Sequence, residues 1–397
     1  MNKLKPTIQF SLNQGAFWAS YSVVLAYASV FLLAHDFSNS QIGIVVAIGS
    51  ALSVFMQPKF GAWADSCKKC ILHKLILCIS LIVIALLGIV LAAGKIFWLL
   101  AILYGLLTAL HQLLTPLTYS LGMFFINKGV KINFGISRGI GSLCYAITAT
   151  IVGRLVERYS TNVVIYAAIL FYVILIISTV TFHFKGVDEN NSVSDDTDKK
   201  YISDIVFLKT HKNFALVLFG AVLMFIAHNI ISNYAFQIVS ALNGGSSEMG
   251  IVLALSALVE IPILFSFDFI SRKVDPARLL RIASVCMALR SLMMLLSFNI
   301  PMLYLSQLFQ MPGYGLYCGA SVYYTNRVIE PEHRVRGQAY MTLTCAAGSV
   351  LGSFMGGWLI DLISVKGMLF IGTLIAGIGS LFVILFSDKR TCSKKAD

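Results

Sequence analysis

Apolar runs long enough to cross a membrane alternate with short polar breaks along almost the whole chain. A helix needs about 20 apolar residues to cross the hydrocarbon core of a bilayer. Twelve segments meet that requirement: 8–34, 40–62, 71–94, 97–125, 134–155, 161–183, 213–240, 249–271, 279–298, 301–326, 336–362 and 367–386. Two joins, Gly94–Lys95 and Phe298–Pro301, barely interrupt the hydropathy. The pattern predicts an all-α integral membrane protein of 12 transmembrane helices. The first run passes Gln14, Trp18 and Tyr21. It is too long for a signal-peptide core and lacks a small-x-small cleavage site, so it reads as a retained helix.

The polar breaks set the sides. With the N-terminus cytoplasmic, the inside segments hold 24 Lys and Arg and the outside loops hold 4. Basic residues gather on the cytoplasmic side of membrane proteins, so both termini are expected to be cytoplasmic. The longest polar break, 184–212, carries Asp188, Glu189, Asp195, Asp196, Asp198, Lys199 and Lys200 and reads as a flexible linker. It divides the chain into two six-helix halves, 1–183 and 213–397. Transporters built from two repeated halves have this layout.

Composition agrees. Only 12% of the 397 residues are charged and the mean hydropathy is +0.82, against about 25% charged in soluble domains. The net charge of +12 follows from the topology, so nucleic-acid binding need not be invoked. The eight cysteines are scattered, mostly in apolar runs, where a thiol behaves as a small hydrophobe. Cys67-x-x-Cys70 has neither a second pair nor histidines at ligand spacing beyond His73, so no metal site is expected. No nucleophile–base pair or phosphate loop stands out, which points away from an enzyme and from any cofactor.

Ionisable groups inside membrane helices are expensive and are functional candidates by default. Glu260 and Arg290 fall near the middle of segments eight and nine, His228 in the middle of segment seven, and Arg138 about a turn into segment five. Asp268 and Asp361 lie near segment ends. A structural Glu260–Arg290 ion pair and a snorkelling Arg138 are the plainer readings. The neighbours favour a binding role. Arg138, Gly141, Ser142 and Tyr145 share one helix face. It offers a cation for hydroxyls or a carboxylate and a ring for an apolar ligand face. Polar stripes recur in segment ten (Gln307, Gln310, Tyr314, Tyr317, Ser321, Tyr324), segment seven (His228, Asn229, Ser232, Asn233, Gln237) and segment four (Tyr104, Thr108, His111, Gln112, Thr115, Tyr119). They favour a hydrated cavity over lipid-facing surface.

PKFGAWADSCKK, residues 58–69, resembles the G-x-x-x-D-x-x-G-R/K-K loop signature of the major facilitator superfamily around Gly61, Asp65, Lys68 and Lys69, without its second glycine. Within it, the chain resembles the oligosaccharide:proton symporters of the lactose-permease-like family. The resemblance rests on residues 33–61 and on the segment-five stretch NFGISRGIGSLCYAITATIVG, 133–153. It implies that Arg138 binds sugar, Tyr145 stacks on it and Glu260 hydrogen-bonds its hydroxyls. It also implies that Arg290 takes part in proton coupling, and it puts Gln307 and Gln310 on the family's lysine and histidine positions. Gly313 stands where the family carries a proton-carrying glutamate, and Ser120 where it carries a second sugar-binding acid.

The sequence therefore predicts a secondary transporter in the cytoplasmic membrane of a bacterium, working by alternating access. Its substrate-binding candidates are Arg138, Tyr145, Glu260, His228, Asn229, Gln307, Gln310 and Tyr119. Glu260, Arg290 and His228 are the candidates for proton coupling. The first reading is proton-coupled import of a sugar or similar polyhydroxylated solute. The alternatives are a transporter of a small organic anion, favoured by two arginines against one glutamate, and a multidrug exporter, for which no glycine- and proline-rich efflux signature follows Arg138. The expected partners are the solute, a proton and the bilayer, with the protein a monomer.

Overall fold

The structure is a computed structural model that describes residues 4–66, 71–94, 96–184 and 204–387, with only the backbone described at positions 4, 62, 65, 66, 264, 268, 332 and 335. Its helices are α1 (Leu4–Tyr21), α2 (Ala28–Leu33), α3 (Asn39–Ser66), α4 (Leu72–Ala92), α5 (Phe97–Asn127), α6 (Phe134–Arg158), α7 (Asn162–Thr181), α8 (Asp204–Thr210), α9 (Lys212–Asn233), α10 (Ala235–Ser240), α11 (Ser246–Lys273), α12 (Pro276–Leu295), α13 (Ile300–Ser306), α14 (Leu316–Val328), α15 (Arg334–Ile363) and α16 (Val365–Phe386). No strand occurs among the described residues. Helices meet the requirement that a backbone in lipid satisfy its own N–H and C=O groups.

Ten helical stretches are long and apolar enough to cross a membrane among the described residues. Two of the twelve segments expected to span fall outside that set. One is α12, which carries Arg278, Arg281 and Arg290; the other is 300–328, which is broken into four short elements. Side chains cap several starts: Asn133, Asp275, Asn299 and Ser364 accept from Ile136, Ala277, Met302 and Gly367 backbone N–H groups. Such caps satisfy donors that the helix itself leaves open. On α16 the residues Phe370, Leu374, Ile378, Leu381 and Leu385 are exposed, while Gly372, Ala376, Gly379 and Val383 are buried. Large apolar side chains thus face outward, and small ones face the neighbouring helices.

The helices form two compact units. The first comprises 1–195 with 233–258. In it α1 packs on α6 and α7, and α5 packs on α3 and α4. Asn13 on α1 donates to Ser178 and Thr179 on α7. The sequence predicts an unbroken first helix, yet a π turn, Ser22–Ala26, separates α1 from α2. Tyr104 supplies a phenolic donor to the Val24 carbonyl inside that turn, at 3.0 Å. Tyr27, at the break, donates to the Ala149 carbonyl at 2.6 Å.

The second unit comprises 196–232 with 259–397. Gly220 on α9 and Gly379 on α16 meet backbone to backbone: a methyl added to either would stand 2.7 or 2.6 Å from the other's carbonyl oxygen. Helix α8 lies inside the stretch expected to be linker. It is ordered by Phe207, 2% exposed, which stacks on Tyr340 and lies under Arg336. Asp204 pairs with Arg336 and accepts from Tyr340 Oη. His211 meets Glu330 at 2.8 Å.

Candidate functional site

Two clusters of polar side chains gather the predicted residues, one in each unit. In the first, Arg138 is half-buried on α6. Its Nη1 donates to Ser142 Oγ at 2.8 Å, one turn on, as the shared helix face predicts. Its guanidinium lies 4.0 Å from the centroid of the Trp18 ring on α1. A cation over an aromatic face is attracted by the ring quadrupole, most strongly with Trp. Gly141 makes room for the ring, since a Cβ there would fall 2.6 Å from Trp18 Cδ1. Trp18 also packs on Tyr21 at 5.0 Å, and Tyr21 lies 6.4 Å from Tyr145 and 5.3 Å from His111. Tyr119 meets Phe134 edge-on at 5.7 Å.

Several polar atoms in this unit are buried without a described partner: both amide atoms of Gln14, Trp18 Nε1 and His111 Nε2. Buried polar groups are nearly always hydrogen-bonded, so each exception asks for a reason. No ion pair to Arg138 occurs among the described residues. Glu157 and Glu248 are engaged at the start of α11, with the Ser247 and Gly245 backbone.

The second cluster surrounds a break in the helical ladder. Between α13 and α14 the chain passes through a 3-10 turn, Gln307–Gln310, and a π turn, Met311–Gly315. The stretch MPGYG explains the break, because Pro312 lacks an N–H and the two glycines permit the change of winding. Such irregular turns inside helices recur at functional sites.

Gln310 donates to Glu260 Oε1 on α11 at 2.6 Å, and Glu260 is 8% exposed. Arg290 donates from Nη2 to Gln307 Oε1 at 2.7 Å and lies 3.4 Å from His228 Nδ1. His228 stacks on Tyr314 with ring centroids 4.8 Å apart. Among the described residues no ion pair joins Glu260 to Arg290. Each charge is held by its own glutamine from the broken segment, and the two charges interact through space.

Other predicted residues are placed differently. Gln307 is wholly buried, and its Nε2 is spent on Leu303 O and Ser306 Oγ. Asn229 donates to its own helix at Phe225 O. Gly61, on α3, has open space where a Cβ would stand. Lys68, Lys69, Cys67, Cys70 and the side chains of Asp65 and Asp268 lie outside the described residues. Trp18 was not singled out in the sequence, although Gln14, Trp18 and Tyr21 share one face of the first segment. The break at 307–315 was also legible as the Pro–Gly run MPGYG, since broken membrane helices point to binding sites.

Comparisons with known proteins agree on the type of fold. The family described as MFS_1 like family matches residues 16–371. The uncharacterized transporter YwbF of Bacillus subtilis (strain 168) is 24% identical over 386 residues, covering 94% of this chain and 92% of the relative. The maltose permease of Geobacillus stearothermophilus is 24% identical over 357 residues, covering 89% and 87%. A crystal structure of the nucleoside transporter NupG superposes with a TM-score of 0.80 at 14% identity, covering 97% of this chain and 100% of that one.

Proposed function

The chain belongs to the MFS_1 like family of the major facilitator superfamily, and from that premise we propose that this multi-pass membrane transporter imports a sugar or similar polyhydroxylated solute together with a proton. The observation that carries the reading is Glu260, a buried carboxylate held at 2.6 Å by Gln310 at a helix break. A carboxyl that changes its partners changes its hold on a proton. Glu260 takes the proton, with Arg290 and His228 as the neighbouring groups that respond to it. Arg138 and Gln310 address the solute's oxygens, Tyr145 and Tyr119 offer aromatic faces, and Asn229 lies beside His228. Among the relatives, the maltose permease carries in its name a solute rich in hydroxyls.

The topology proposed with it has twelve helices in two halves, 1–183 and 213–397, joined by 184–212, with both termini cytoplasmic. The first helix of each half supports a repeat. The first breaks at Tyr27 and the seventh at Tyr234, and both residues leave the helical region of backbone space.

Purified protein in liposomes tests the proposal with sugars, sugar acids, nucleosides and organic acids without hydroxyls such as succinate, with and without an inward proton gradient. Gradient-driven accumulation of a hydroxylated solute is expected. Uptake that ignores the gradient, or is confined to solutes without hydroxyls, overturns it.

A further inference from the structure

Arg138 is a cation that its surroundings position without neutralising. One of its nitrogens is spent on the Ser142 hydroxyl, and its guanidinium carbon lies 4.0 Å from the centroid of the Trp18 ring. Its Nε and Nη2 have no partner among the described residues. The sequence holds no acidic residue between Asp65 and Glu157, and Glu157 and Glu248 are engaged at the start of α11. Trp18 is fixed in turn, wedged over Gly141 and against Tyr21. A guanidinium whose Nε and Nη2 remain available matches a carboxylate through two parallel hydrogen bonds. Neutral hydroxyls can use the same donors, but they leave the charge uncompensated in a poorly solvated place. Arg138 and Arg290 also outnumber Glu260 among the mid-segment charges.

We infer that Trp18 and Arg138 form a clamp for a carboxylate, so that the solute is a sugar acid rather than a neutral sugar. Trp18 is the positioning residue and Arg138 the group that touches the solute. The inference rests on the transport reading above and narrows its substrate class.

Binding to the purified full-length protein in detergent, measured by titration calorimetry, tests it with matched probes: D-glucose against D-glucuronate, maltose against maltobionate, and succinate as an acid without hydroxyls. At least one sugar acid is expected to bind about tenfold or more tighter than its neutral partner. Trp18→Leu is expected to weaken the acid about tenfold, and Trp18→Tyr, which keeps an aromatic face, to regain most of it. The neutral sugar should respond much less, a split that a merely structural role for Trp18 would not give. Arg138→Lys should also lose the acid, because a point charge cannot replace the planar fork. Melting curves identify a variant that fails to fold, and Trp18→Phe then replaces it.

Equal or tighter binding of the neutral partners overturns the inference while leaving sugar transport standing. Succinate binding as well as the sugar acids upholds the clamp and overturns the hydroxylated-solute reading. Binding of none of the probes overturns the inference.

Discussion

The substitution Gly141→Ala separates the packing of Trp18 from the chemistry of Arg138. The added methyl would stand 2.6 Å from Trp18 Cδ1, 3.3 Å from Cγ and 3.4 Å from the Gln14 carbonyl. Ordinary carbon contacts lie at about 3.5–4.0 Å, so the indole must retreat by about 1 Å. It cannot do so freely, because Tyr21 and Phe17 pack against it at 5.0 and 5.6 Å. Overpacking costs about 1–3 kcal/mol, while replacing a mid-helix glycine by alanine returns about 1 kcal/mol. The net loss of stability is therefore small, about 0–2 kcal/mol by the same principles. Affinity should suffer more, since displacing the ring removes a partly desolvated cation–π contact worth about 1–2 kcal/mol. That corresponds to roughly 5- to 30-fold in the dissociation constant. Solute titration and a melting curve on the same sample read the two effects. A lowered melting temperature with unchanged affinity would refute the idea that Trp18 holds Arg138 for the solute.

Arg290→Ala should destabilise the protein by about 1–3 kcal/mol, because the buried Gln307 Oε1 loses its donor; thermal unfolding in detergent measures it. Gly220→Ala should cost about 1–3 kcal/mol, since the clash is with the Gly379 carbonyl and Phe382 Cβ. Gly377→Ala, with nothing within 4 Å of its added methyl, is its neutral control in the same melting assay. At α8, the hydrogen bond from Arg336, with that from Tyr340, holds the Asp204 carboxyl below its usual range. A depressed carboxylate stabilises the folded state above its unfolded value and loses that contribution as pH falls through the folded value. The α8 contact should therefore persist at neutral pH and loosen only below the ordinary carboxylate range. Asp204→Asn should loosen it at pH 7, read as faster hydrogen exchange over 204–210.

The helical fold was legible because hydropathy has only one common solution in lipid. The segments 71–94 and 367–386 became α4 and α16 with ends shifted by a few residues. Composition alone did not yield the places where helices break or chains dock. Residues 204–210 fall at the end of the longest polar break and read as linker with it, yet buried Phe207, with Leu208 packed against the same core, anchors them. Tyr27 and Tyr234 carry no breaker signal of their own, and at Tyr27 the partner, the Ala149 carbonyl, lies far along the chain. The candidate site was half visible. Buried charge exposed Arg138, Glu260 and Arg290, because a lone ion in an apolar run has few explanations. Their partners stayed hidden, because glutamine and tryptophan are common in such helices. Only three-dimensional packing assigns Gln310 to Glu260, Gln307 to Arg290 and Trp18 to Arg138.

The most direct test of proton coupling through Glu260 compares wild type and Glu260→Gln in liposomes carrying an imposed inward proton gradient, with accumulation and solute exchange measured separately. Wild type should accumulate solute against its gradient, while Glu260→Gln should lose accumulation and retain exchange. Undiminished gradient-driven accumulation by Glu260→Gln would contradict the assignment.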